Sequence, residues 1–292
     1  MEVTPPAERV RECHGHLMMD GADFAAARER HRHGVDEGLL RQNLAALAEK
    51  GVSYFRDGGD AWGVSRRGRE IAGEYGITVA TPLYAIHKKG RYGAIVGRGW
   101  DSLDEAGRLI GEAREQGADF IKLILSGIIT FSRYGELSCP SLTGAEIRTL
   151  ISLGHQAGCA VMAHVNGAEA VRQAVEAGAD SVEHGYFLDG AAVDAMAERG
   201  CVWVPTLAAV AGFVGREGFD GDCAGETLRR QQEMLRTAAE KGVLIARGSD
   251  SGAFGVPHGR GTEREGELLN ECVDERLWQR GSREIEERFR RR

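Results

Sequence analysis

Apolar positions along the chain fall into two alternating patterns. Short continuous runs of strand length give way to longer stretches in which Leu, Ile, Val and Ala recur at helical spacing. The first run leads from 9–13 into His14-Gly15-His16. Others lie at 52–57 and 77–86, and at Phe120-Ile121-Lys122-Leu123-Ile124-Leu125, which Ser126-Gly127 ends. Four more follow at 159–164, 179–184, 201–205 and 243–250. Between them, Asp36 opens a helical pattern through Leu39, Leu40, Leu44 and Leu47, stopped by Lys50-Gly51. A helix around 61–75 comes next, and Ser102 can cap another that closes at Gln116-Gly117. Thr143 and Glu146 have the capping-box spacing of a helix ending at Ala157-Gly158. Further helices are predicted at 167–177, 189–199, 224–241 and near 263–274. Residues 21–35 read as a long loop or short helix, and the basic, glycine-punctuated 87–100 as a loop.

Strand–helix alternation in series, with short glycine-containing connections, predicts a parallel sheet. Eight strands favour a closed (β/α)8 barrel over an open doubly wound sheet, and 292 residues suit one such barrel with extensions. The expected plan is a single domain over 1–292, with its core at about 9–274 and a charged tail at 275–292. That tail, rich in Glu and Arg, reads as a solvated surface helix or frayed end.

Composition narrows the function. A net charge of −7 argues against a broad cationic surface for nucleic acid. No run approaches the roughly 18 apolar residues of a membrane span, and Met-Glu-Val-Thr-Pro-Pro lacks the plan of a signal peptide. The six cysteines make neither a C-x-x-C pair nor a disulfide framework. A cytoplasmic protein acting on a small molecule is expected, with assembly into a homo-oligomer left open.

The chemistry sits at the strand ends. Lys122 lies inside an apolar strand, where an ammonium is costly unless paired or neutralised. His14 and His16, at i and i+2 of one strand, point the same way. His164, His184 and Asp250 each end a strand-like run. Singly, each residue is more often structural: a loop histidine, a helix cap, a lysine threading its ammonium to the barrel mouth. Together they fall on the C-terminal face of one barrel, where sites are built. Strand order groups His14, His16 and Asp250 on one side, and Lys122, His164 and His184 on the other.

With its motifs Glu-Cys-His14-Gly-His16, Phe-Ile-Lys122-Leu, Met-Ala-His164, Val-Glu-His184-Gly and Gly-Ser-Asp250-Ser-Gly in order over 12–252, the chain resembles the amidohydrolase superfamily. The likeness is to its prolidase-like branch, which carries a carboxylated lysine on the fourth strand. The resemblance implies a metal-dependent amidohydrolase with two divalent ions, zinc first among them. His14, His16 and Asp250 would hold one ion and His164 and His184 the other, bridged by a CO2-derived carbamate on Lys122. Asp250 would move the proton of the attacking water, with Glu183 as a supporting partner of His184. The implied substrates are dipeptides, N-acyl amino acids, cyclic amides or lactones. The chain departs from many relatives in offering no halves for a flanking β-sandwich, and in having Ile128-Ile129 after Ser126-Gly127.

His87, Lys88, Arg91, Arg133, Tyr134 and His258 are candidates for substrate binding, forming a basic rim suited to a carboxylate. Two rival activities remain: a Schiff-base lyase or aldolase using Lys122 as nucleophile, and a decarboxylase or isomerase on the same metal site. A barrel with a merely structural metal fits less well, since such sites favour four closed ligands, often Cys.

Overall fold

In the computed structural model, which describes residues 9–217 and 219–290, the apolar runs become ten short strands. These are β1 (Val10–Gly15), β2 (Val52–Asp57), β3 (Thr78–Ala80), β4 (Ala85–Lys88), β5 (Gly97–Trp100), β6 (Ile121–Ile124), β7 (Val161–Val165), β8 (Ser181–His184), β9 (Val202–Val204) and β10 (Leu244–Ile245). The segment 1–8, read above as lacking a signal-peptide plan, and the last two arginines of the tail lie outside the described residues. Every pairing between these strands is parallel. One sheet has the order β1-β2-β3, the other β10-β9-β8-β7-β6-β4-β5. Hydrogen bonds cross both seams between the sheets. At one, Cys13 N donates to Arg247 O (2.9 Å) and Asp250 N to His14 O (2.9 Å). At the other, Asp119 N donates to Thr81 O (2.9 Å). The result is a TIM-barrel-like α/β fold.

The helices are α1 (Phe24–Arg30), α2 (Glu37–Glu49), α3 (Val64–Ile71), α4 (Leu103–Glu115), α5 (Gly144–Gln156), α6 (Ala168–Glu176), α7 (Gly190–Arg199), α8 (Leu207–Ala211), α9 (Gly221–Glu240), α10 (Arg260–Asn270) and α11 (Glu275–Arg288). Their starts follow the sequence signals. Asp36 and Ser102 each accept a backbone N–H at the start of α2 and α4, and Thr143 and Glu146 complete their capping box. Apolar faces of α4 to α7 and α9 to α11 pack on β4 and β6 to β10 as one buried cluster. Among the described residues no helix is long and apolar enough to cross a membrane.

Three expectations need correction. The run at 77–86 is two strands, because Pro82 cannot donate to a ladder and Leu83 takes a positive φ of 67°. β4 consequently leaves β3 and pairs with β6. The predicted loop at 87–100 contains β5, which lies along β4. A Cβ on Gly97 would sit 2.0 Å from Ala85 O, so only glycine permits that approach. Finally, the charged tail is not merely a solvated helix: α11 buries Trp278 and Ile285, and Phe289 just beyond it is 0% exposed. Phe289 packs against Phe120 at 5.2 Å and under the Arg56 guanidinium at 4.3 Å. Arg11, near the start of β1, bonds Glu286 of α11 at 2.7 Å, so this helix covers the strands' N-terminal ends. The opposite ends remain for chemistry.

Candidate functional site

The C-terminal strand ends bring the six expected ligands to one place. His14 is on β1 with His16 just after it, Lys122 on β6, His164 on β7, His184 on β8, and Asp250 follows β10. Ring centroids separate His14 from His16 by 5.6 Å, His14 from His184 by 4.9 Å, and His164 from His184 by 4.5 Å. Asp250 Oδ1 lies 3.5 Å from His14 Nε2 and 3.4 Å from His16 Nε2. Three ligand atoms, one each from His14, His184 and Asp250, lie within 4.8 Å of one another. That trio draws from both groups inferred from strand order, so the two groups adjoin as one cluster.

Burial sets the electrostatics. It holds all four imidazoles below the usual histidine range, helped by the positive field of Lys122. They are therefore neutral, the form that can ligate a cation. Desolvation also lowers the proton affinity of Lys122 and raises that of Asp250. Lys122 Nζ, His16 Nδ1 and Asp250 Oδ1 are buried without a hydrogen-bond partner. Buried polar atoms are rarely left so. A carboxylate oxygen facing two neutral ring nitrogens without bonding either one suits a shared cation, and the N/O donor set fits zinc or a similar divalent ion. His184 (φ 68°) and Asp250 (φ 64°) both hold the left-handed conformation, strain that buried surroundings must sustain.

Those surroundings are specific. Glu183 supports His14 rather than its neighbour His184: His14 Nδ1 and Glu183 Oε2 are 2.6 Å apart. Alternation along β8 turns Glu183 away from His184 and inward, where Arg56 donates to both its oxygens at 2.8 and 2.9 Å. His184 is instead oriented by Thr206 Oγ1, 2.8 Å from its Nδ1. Thr206 precedes α8, whose first two amides donate to Glu265 at 3.0 and 2.7 Å. Sequence reading missed Arg56, Thr206 and Glu265, since each acts through a partner far along the chain. It also passed over Tyr92, whose ring lies 5.1 Å from that of His164.

Above the cluster opens a cavity of about 830 Å³, lined by His16, His164, His184, Asp250 and Tyr92, and by apolar loop residues. None of the six residues proposed for substrate binding lines it. His87 Nδ1 is 3.1 Å from Lys88 O, and Lys88 pairs with Glu146 at 2.6 Å. Arg91 donates to the carbonyls of Pro140 and Ser141. Arg133 is exposed. Tyr134 meets Phe187 edge-to-face at 4.9 Å and lies under Arg230 at 4.2 Å, in a separate cleft of about 420 Å³. His258 is buried beside Phe55, with its Nε2 2.9 Å from Met19 O.

Comparison with known proteins bears on this geometry. The sequence model described as "Amidohydrolase family" matches residues 16–285. An uncharacterized protein of Mycobacterium tuberculosis (strain ATCC 25618 / H37Rv) is 28% identical over 192 residues, 58% of this chain and 49% of that protein. Ochratoxinase of Aspergillus niger is 26% identical over 191 residues, 64% of this chain and 38% of the enzyme. The chain thus spans about half, or less, of the length of these curated relatives. Among solved structures, a Xaa-Pro dipeptidase with methionine bound in its active site shares the fold. Its TM-score is 0.77 at 23% identity, over 96% of this chain and 75% of that one.

Proposed function

The chain belongs to the amidohydrolase family, and from that premise we propose that it hydrolyses an amide bond of a small molecule with the help of divalent metal. The observation that carries this reading is the ring of neutral imidazoles around Asp250 together with the unpartnered amine of Lys122. In the proposed arrangement His14, His16 and Asp250 would hold one ion and His164 and His184 a second, with zinc the favoured metal; Lys122, once carboxylated, would supply them a further anionic ligand. Its unprotonated amine attacks CO2, forming an N–C bond with loss of one proton, and the resulting anion relieves an otherwise stranded lysine. When bound, the metal supplies an activated water at neutral pH and polarises the scissile carbonyl.

The remaining work falls to side chains. Asp250, at the floor of the cavity, accepts the proton of the water and passes it to the departing amine nitrogen. Tyr92, beside His164, offers its hydroxyl to the substrate carbonyl. Glu183 and Thr206 fix the ring orientation of His14 and His184 from behind, as partners on the far ring nitrogen do in metal sites. The test is metal content of protein purified with bicarbonate present. About two ions per chain are expected; none, even after reconstitution, would exclude the reading.

One observation also suits a Schiff-base lyase. A buried lysine of lowered proton affinity is the form that attacks a carbonyl. Borohydride trapping of a substrate adduct on Lys122 decides between the two.

A further inference from the structure

The walls of the cavity carry a second message. Phe131, Phe213, Phe219 and Phe254 form one cluster of rings, with centroids of Phe213 4.6 Å from those of Phe131 and Phe219 and 5.5 Å from that of Phe254. Phe24, Ile128 and Phe219 are among the few large apolar side chains of the described residues left exposed, and all three line this cavity. Apolar exposure concentrated in one concave place marks a binding surface.

Charge points the same way. Among the described residues no lysine or arginine lines the cavity, and its acidic members are Asp23 and Asp250. Apart from the ligand cluster and the Tyr92 hydroxyl beside it, the polar lining groups are already committed. Asn166 donates to Gly127 O and accepts from Tyr186 N, while the Tyr186 hydroxyl bonds Thr206. Arg216, the cation stacked on Phe254 at 4.1 Å, is exposed and does not line the cavity. A carboxylate buried among these rings would find neither counter-charge nor free donors.

We infer that the site takes an uncharged amide whose bulky aromatic portion packs among Phe131, Phe213, Phe219 and Phe254, and that it rejects substrates carrying a carboxylate there. The position of the scissile bond rests on the hydrolase reading above; the recognition of the aromatic portion does not. This reverses the carboxylate-bearing substrate expected from the basic rim.

The test has a kinetic and an equilibrium arm. The metal-loaded chain is assayed with the 4-nitroanilides of acetic, 2-naphthylacetic and 6-carboxy-2-naphthylacetic acids, read by release of 4-nitroaniline. The neutral naphthyl substrate should exceed the acetyl one roughly a hundredfold in kcat/KM, and its carboxylated twin by about tenfold or more. Calorimetry then compares binding of 2-naphthylacetamide and its 6-carboxy twin to wild type, Phe219→Ala and Arg216→Ala. Phe219 is exposed, so its truncation leaves the fold in place; it should weaken the neutral ligand about three- to tenfold. Arg216→Ala should leave the selectivity unchanged. Preference for the carboxylated compounds, above all one lost in Arg216→Ala, overturns the inference while the hydrolase reading stands. Selective binding of the neutral ligand with no anilide cleaved sustains the inference and removes the hydrolase reading.

Discussion

Glu183 Oε2 lies 2.6 Å from His14 Nδ1, and Arg56 holds the same carboxylate from its other side at 2.8 and 2.9 Å. The carboxylate fixes which ring nitrogen of His14 faces Asp250 and offsets the charge of a fully buried guanidinium. Glu183→Gln should therefore lower metal affinity or activity about 10- to 100-fold. It should also destabilise the fold by about 3–5 kcal/mol, because Arg56 loses its counter-charge. Metal titration and urea denaturation of the same variant measure both. A variant with wild-type metal affinity would falsify the positioning role.

Lys122→Ala and His164→Asn should each cut turnover roughly a hundredfold or more while leaving far-UV circular dichroism unchanged. Chelation of the wild type should abolish activity in the same way and lower its melting temperature, since a ligand bound only by the folded state stabilises it. Unaltered turnover in both variants would mean that the cluster is not the reaction centre.

Glu265 gives a pH signature separate from catalysis. Burial raises its carboxyl from 4.5 to about 8, against the lowering effect of two amides of α8. The folded state thus binds this proton more tightly than the unfolded one. Its contribution to stability is complete below about pH 4.5 and is lost as pH climbs through about 8. Urea midpoints taken from pH 4.5 to 9 should show this fall in the wild type, and Glu265→Gln should flatten that part of the curve. A slope unchanged in the variant would assign the effect to other groups.

Phe289, the penultimate described residue, should behave as core. Its ring is fully buried against Phe120 and Arg56, so Phe289→Ala is expected to cost about 3–5 kcal/mol. Loss of less than ~1 kcal/mol in chemical denaturation would return the tail to the surface role read from its charge.

What could be read from sequence follows from how local the governing physics is. Strand runs and helix caps depend on neighbours, so the strand ends bearing His14, His164, His184 and Asp250 were legible. The split of 77–86 turned on one missing donor at Pro82, and α11 was misread because its arginines and glutamates outvoted the spaced apolar positions Trp278, Ile285 and Phe289. The inward direction of Glu183 was visible from alternation, but its partners His14 and Arg56 come from other strands. The aromatic walls were less legible still. Phe131, Phe254 and the pair Phe213 and Phe219 come from three different loops, and no periodicity links them.

Backbone bonds from Cys13 N to Arg247 O and from Asp250 N to His14 O tie β1, near the start of the chain, to a segment near its end. A strand made early thus completes its ladder only against a segment made late. The entropy of closing so long a loop opposes that pairing until most other contacts exist, which marks a fold of high contact order and slow refolding. Until then the edge of β1 stays bare and open to aggregation. His14 and His16 come from one side of this seam and Asp250 from the other. Stopped-flow cation uptake and tryptophan fluorescence should accordingly share their slowest phase during refolding. Uptake then serves as a clock for the final docking of the chain, not as a seed for its first collapse.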